Sequence, residues 1–227
     1  MAAKNAHRTA HRTAIVAGAT GLTGGSLLTG LLADPRYATV HALVRKAVLP
    51  PQPKLIEHIV DFEHLDNLLE ACDGAGDAFC CLGTTIKKAG SKTAFHQVDF
   101  DYVLNFARAA KAAGATRLMV MSSLGANAKS GVFYSRVKGE MEIAVSALGF
   151  DELHIFQPSF LVGDRTESRL GERMGITAFQ IISPFLFGPA RKYRAIEATD
   201  VARAMIRAAW SGKQGQHIYT SDVIASM

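Results

Sequence analysis

An apolar run meets three glycines at three-residue spacing in Ile15-Val-Ala-Gly18-Ala-Thr-Gly21-Leu-Thr-Gly24-Gly25, then passes into Ser26-Leu-Leu-Thr-Gly-Leu-Leu32. This order reads as strand, tight turn, helix. Each glycine has a backbone reason: Gly18 takes the φ of a sharp turn, Gly21 leaves the main chain open to a diphosphate, and Gly24 lets helix lie against strand. The helix then directs free N–H groups and a positive dipole end at that position. A glycine triplet alone is also compatible with a plain turn. Its place between strand and helix at the head of the domain makes it a dinucleotide-binding signature.

The rest of the chain repeats that unit. Expected strands are about Ala14 to Gly18, Thr39 to Val44, Leu55 to Val60, Asp77 to Leu82, Arg117 to Ser122 and Leu153 to Gln157, with a last short strand at His217 to Thr220. Helices are expected at about Leu22 to Leu32, Phe62 to Ala71, Ala94 to Ala113, Phe133 to Leu148 and Ile196 to Trp210. Val98, Tyr102, Asn105, Phe106 and Ala109 recur at helical spacing, and Gly114 is placed to cap their helix. Three of the seven prolines fall between Val48 and Pro53, which reads as a loop. Alternating strands and helices specify an α/β fold: a doubly wound parallel sheet of the NAD(P)-binding Rossmann type. Residues 13–227 form one domain, with a small irregular C-terminal cap from about residue 163. Residues 1–12, with the duplication Ala6-His-Arg-Thr-Ala-His-Arg-Thr13, read as a disordered arm.

Composition excludes several classes. Lys4, Arg8 and Arg12 carry three of the five net positive charges, and the two left on the rest of the chain are too few for a nucleic-acid partner. Cys72, Cys80 and Cys81 form no disulfide framework, and neither they nor the eight histidines show zinc-ligand spacing, so no metal is expected. Reduced thiols fit a cytoplasmic protein. The polar N-terminus lacks the apolar segment of a secretory signal, and no apolar run is long enough to span a bilayer, so no membrane association is expected.

The second strand ends in Arg45-Lys46, where NAD-binding folds usually carry an acid for the ribose 2′-hydroxyl. Nothing there repels a 2′-phosphate, and Arg45 can pair with one, so NADPH/NADP is the expected cofactor; a solvated strand end is the plainer reading. Asp61, closing the third strand, can accept from the adenine amino group or simply hold a turn. Leu82-Gly83 closes the fourth strand at the sheet edge where ligands bind. Tyr134-Ser-Arg-Val-Lys138 puts a phenol and an ammonium on one helix face, where the cation favours phenolate. Such a Tyr can exchange a proton with a carbonyl or alcohol oxygen, and Ser122-Ser123, at the end of the fifth strand, can supply a hydroxyl to that oxygen.

These features together resemble the short-chain dehydrogenase/reductase superfamily. Cys80-Cys-Leu-Gly-Thr-Thr85, Lys88-Ala-Gly, Val98-Asp99-x-Asp101-Tyr-Val-Leu, Ser122-Ser-x-Gly-Ala126, Val137-Lys-Gly-Glu140 and Asp164-Arg-x-Glu-Ser-Arg169-x-Gly-Glu172 are similar to its atypical branch, typified by the Tat-interacting oxidoreductase. The resemblance covers about Ile15 to Arg173. It implies bound NADPH, with Thr20, Gly21, Leu22 and Thr23 on the diphosphate and Arg45 on the 2′-phosphate. It further implies Leu82 and Gly83 flanking the adenosine or ribose, Tyr134 and Lys138 on the nicotinamide ribose, and Leu161 and Arg169 closing over the nicotinamide. Gln157-Pro158 departs from the usual Arg-Pro, and Asp99 stands where many superfamily members have Asn.

Adjacent strand residues face opposite ways, so at most one of Cys80 and Cys81 can face the cofactor. Arg165, Arg169 and Arg173 recur every four residues and suit either an anionic substrate group or surface pairing with Glu167 and Glu172. Two functions remain. In the first, Ser123, Tyr134 and Lys138 serve an NADPH-dependent reductase of a small carbonyl compound. In the second, an NADPH-binding regulator orders Asp164 to Arg173 and a protein partner reads that surface.

Overall fold

The computed structural model describes residues 11–65, 72, 74–163 and 188–227. Its main sheet has seven strands in the order β3-β2-β1-β4-β5-β6-β9, every neighbouring pair parallel. The strands are β1 (Arg12–Ala17), β2 (Tyr37–Val44), β3 (Leu55–Ile59), β4 (Asp77–Cys80), β5 (Arg117–Met121), β6 (Glu152–Gln157) and β9 (Gly215–Thr220). A second, two-stranded parallel sheet joins β7 (Leu161–Val162) to β8 (Ile196–Glu197). The longer helices are α1 (Leu22–Ala33), α4 (Tyr102–Ala112), α5 (Phe133–Ser146) and α6 (Ala198–Ala209); α2 (Ile86–Ala89), α3 (Lys92–His96) and α7 (Ser221–Ile224) are single turns.

The doubly wound expectation holds, and the two-residue period of the strands explains the two apolar layers. Ile15 and Ala17 of β1 face one layer with Phe106, Ala110, Met141 and Val145 of α4 and α5. Ala14 and Val16 face the other, with Leu27 and Leu31 of α1 and Val201 and Met205 of α6. At Gly30 a Cβ would lie 2.8 Å from Ile206 Cδ1, so α1 and α6 pack where side chains are smallest.

Several boundaries differ from expectation. The strand starts at Arg12, inside the stretch read as a disordered arm. Its guanidinium reaches Asp77 at 3.3 Å and the Ala209 carbonyl at 2.6 Å and lies 3.6 Å over the Trp210 ring, which holds it in place. The expected helix Ala94 to Ala113 is three pieces: α3, a π-helical turn at Gln97–Asp101, and α4. Gly114 does take the left-handed conformation, at φ 97°, and the Ala115 N–H returns to the Ala110 carbonyl at 3.0 Å. Residues 62–65 form a turn rather than the start of a helix, with His64 N–H bonded to the Asp61 carbonyl at 3.0 Å. The last helix begins at Ala198 because Ile196–Glu197 is drawn into β8. Among the described residues no helix is long and apolar enough to cross a membrane. The expected cap residues Arg165, Glu167, Arg169, Glu172 and Arg173 lie outside the described residues.

Candidate cofactor and catalytic site

The glycine turn sits where β1 runs into α1, at the centre of the sheet. Gly18 has φ 82°, and a Cβ there would lie 2.6 Å from the Cys81 carbonyl carbon, so both conformation and space demand glycine. Gly21 N–H closes the turn onto the Gly18 carbonyl at 3.0 Å. At Gly24 a Cβ would sit 1.9 Å from that same carbonyl oxygen, which is how the helix comes so close to the turn. Gly21 is exposed and forms the N-cap of α1, and no side chain caps that end. Its first-turn N–H groups, without intrahelical partners, face outward. Thr23 is buried, and its hydroxyl has no hydrogen-bond partner among the described residues. The cradle, the uncapped helix end and this orphaned hydroxyl all fit a dinucleotide diphosphate.

The rims follow from the strand order. Arg45 is exposed one residue past β2, the strand beside β1. Asp61 is exposed, and its Oδ1 accepts the Glu63 N–H at 3.0 Å, so the turn role left open above is filled. Leu161 belongs to β7 and packs on the α1 side of the sheet. At Gly163 a Cβ would lie 3.0 Å from Leu22, which brings the end of β7 over the glycine turn. Thr20 is exposed beside Gly21.

Beyond β4, Leu82 and exposed Gly83 lead to a buried ion pair. Lys138 Nζ lies 2.7 Å from Asp99 Oδ1, with 4% and 1% of the two side chains exposed. Asp99 Oδ2 accepts the Thr84 N–H at 2.9 Å. A Cβ on Gly83 would sit 3.4 Å from Asp99 Oδ1 and 3.7 Å from Lys138 Nζ, so the exit of β4 runs directly over the pair. Burial pulls the Lys138 ammonium down, but the charges of Asp99 and Tyr134 outweigh it and leave the group above its ordinary value. Asp99 comes from the π turn, a device that re-aims side chains within a helix.

Tyr134 and Lys138 do share a face of α5, and the Tyr134 ring packs 5.3 Å from Phe95. The two serines past β5 diverge. Buried Ser122 donates to the Glu142 carboxylate, whereas half-buried Ser123 makes only a 3.5 Å contact with the Leu124 carbonyl. Glu142 also accepts from Gln157 Nε2 at 2.9 and 3.1 Å. Burial raises the Glu142 carboxyl, while Ser122, Gln157 and Lys138 oppose that rise. Sequence reasoning missed Glu142. Its signal was faint: Tyr134, Lys138 and Glu142 recur every four residues along α5, so each neighbours the next. Gln157 is the neutral donor to that acid. Cys80 and Cys81 face opposite layers, as strand alternation requires, and burial pushes the Cys80 thiol up to about 12.

Residues 18–153 match the family model described as NAD(P)H-binding. The protein HTATIP2 of Rattus norvegicus is 37% identical over 209 residues, covering 91% of this chain and 84% of that protein. The mitochondrial protein fmp52 of Aspergillus clavatus is 33% identical over 207 residues, covering 87% of each. In overall shape the chain is similar to MoeE5 in complex with UDP-glucose and NAD (TM-score 0.68, 18% identity, 94% of this chain and 80% of that one). It is equally similar to the Bordetella bronchiseptica enzyme WbmH in complex with NAD+ (TM-score 0.69, 14% identity, 92% and 76%). At those identities the likeness is one of fold. Rossmann architecture, glycine cradle and sequence kinship together make the chain a member of the NAD(P)H-binding family, in the atypical short-chain dehydrogenase/reductase branch that includes HTATIP2 and the FMP52 proteins.

Proposed function

We propose that the chain is an NADPH-dependent oxidoreductase that reduces a small carbonyl compound in the cytoplasm. The observation that carries this reading is the buried Lys138 ammonium, one helical turn from Tyr134 and directly beneath the exit of β4. Gly18, Gly21 and Gly24 shape the diphosphate cradle, and Thr20, Leu22 and Thr23 line it. Arg45 meets the 2′-phosphate, and Asp61 keeps its turn beside the adenine with one carboxylate oxygen free of that turn's bond. Leu82 and Gly83 flank the adenosine or ribose, and Leu161 and Arg169 close the nicotinamide side. Ser123 and Tyr134 hold the carbonyl oxygen, Tyr134 gives it a proton, and Lys138 bonds the ribose and holds positive charge near the phenol. Bound NADPH supplies the hydride.

Purified protein with NADPH and a panel of small aldehydes and ketones tests the chemistry. Tyr134→Phe should keep NADPH binding and lose turnover by about 100-fold or more, the range for a removed general acid. Undiminished turnover in that variant sinks the assignment. NADPH should bind more tightly than NADH, and Arg45→Ala should erase the difference; an unchanged preference removes Arg45 from the site.

One observation favours a second reading, an NADPH-binding regulator of a protein partner. Asp99 balances the Lys138 charge, so the pair presents little net field to the phenol. Tight NADPH binding with no turnover across the panel, and partner affinity that changes with NADPH, would support it.

A further inference from the structure

We propose that His41, His58 and Cys72 form a binding site for a zinc-class divalent cation, separate from the nucleotide cradle. The three come from separate stretches, which is why no ligand spacing is visible in the chain. Parallel register sets His58 beside Leu43, so His41, two residues back along β2, lies on the same face of the sheet. The two rings stack at 5.1 Å with 20° between their planes, and His41 Nδ1 faces His58 Nε2 at 2.8 Å. Cys72 is fully buried against the same apolar layer. Its carbonyl accepts the Ala75 N–H at 3.2 Å, which ties the Cys72 main chain to the stretch just ahead of β4. The two imidazole nitrogens and the sulfur all lie within 4.8 Å of one another.

One sulfur and two imidazoles are the donor set zinc prefers over magnesium or calcium. A tetrahedral ion with bonds of about 2.0–2.3 Å holds its donors roughly 3.3–3.8 Å apart. The site reaches that geometry if the two histidine nitrogens, now 2.8 Å apart, part by about half an ångström and the sulfur draws in to bonding distance. Three protein donors leave the fourth position to water, and binding transfers the thiol proton to solvent. The ion would tie the β2–β3 edge to the turn that leads into β4.

The test uses the full-length protein, stripped of metal and titrated with Zn2+ against a chromophoric chelator. We expect one tight site per chain, weakened at least 100-fold in Cys72→Ser and in His58→Gln, with NADPH binding unchanged in both. Co2+ should give an intense thiolate-to-cobalt absorption that Cys72→Ser lacks. A measurement free of variants guards against misfolding: Zn2+ should slow alkylation of Cys72 at least tenfold, read by peptide mapping, with Mg2+ at the same concentration as the control. Absence of stoichiometric binding, equal affinity in the variants, or alkylation of Cys72 indifferent to Zn2+ overturns the site.

Discussion

Asp99→Asn isolates the buried pair. The substitution keeps the shape of the side chain and an oxygen for the Thr84 N–H, but it leaves the Lys138 ammonium enclosed without its counter-charge. Removing one partner of a buried pair costs about 3–5 kcal/mol. The retained Thr84 bond puts this case at the low end, about 3 kcal/mol. For a domain of this size, that corresponds to a fall in Tm of about 6–12 °C. Thermal and urea unfolding of wild type, Asp99→Asn, Lys138→Met and the double variant would measure it. Most of the Asp99→Asn loss should vanish in the Lys138→Met background, because no stranded charge remains there. The effect also has a pH window. Lys138 is raised in the fold, so the pair's stability is fully present below the ordinary lysine value of 10.5 and fades as pH rises through the folded value. The gap between wild type and Asp99→Asn should narrow in that alkaline range. A loss below about 1 kcal/mol, or an equal loss in the Lys138→Met background, refutes the argument.

Gly24→Ala should cost about 1–3 kcal/mol or more in urea unfolding and abolish NADPH binding, because its methyl would sit 1.9 Å from the Gly18 carbonyl oxygen. Unaltered binding would show that the turn can open without harm. Cys80 should make the protein sensitive to alkali. Its thiol is held up to about 12 against 9.0 when unfolded, so stability is intact below pH 9 and falls as pH rises toward 12. From pH 8 to pH 10 that loss is on the order of 1 kcal/mol, and Cys80→Ala should flatten the urea-unfolding pH profile over that range.

Local physics was readable directly. The apolar strands alternate between two layers, the glycine turn is imposed by backbone sterics, and Tyr134 and Lys138 share a face because helices repeat every 3.6 residues. What escaped depends on tertiary partners. Asp99 stood out only as an unusual residue; its tie to Lys138 required two helices to be packed together. Ser122 and Ser123 looked equivalent until Glu142 claimed one hydroxyl. Arg12 looked like part of a basic tail because Asp77 and Trp210, its partners, lie far along the chain. The shortened helix at Ala198 has the same origin, since β8 exists only by pairing with β7.

The π turn at Gln97–Asp101 also changes how the two flanking helices are phased. Phe95, Asp99 and Val103 are all buried. In an unbroken α-helix, eight residues overshoot two full turns by about 80°, which would swing Val103 away from Phe95. The wide turn absorbs roughly one residue's rotation and brings all three back into line. The counter-charge of Lys138 thus rides on the one stretch between α3 and α4 whose winding departs from the α-helical form.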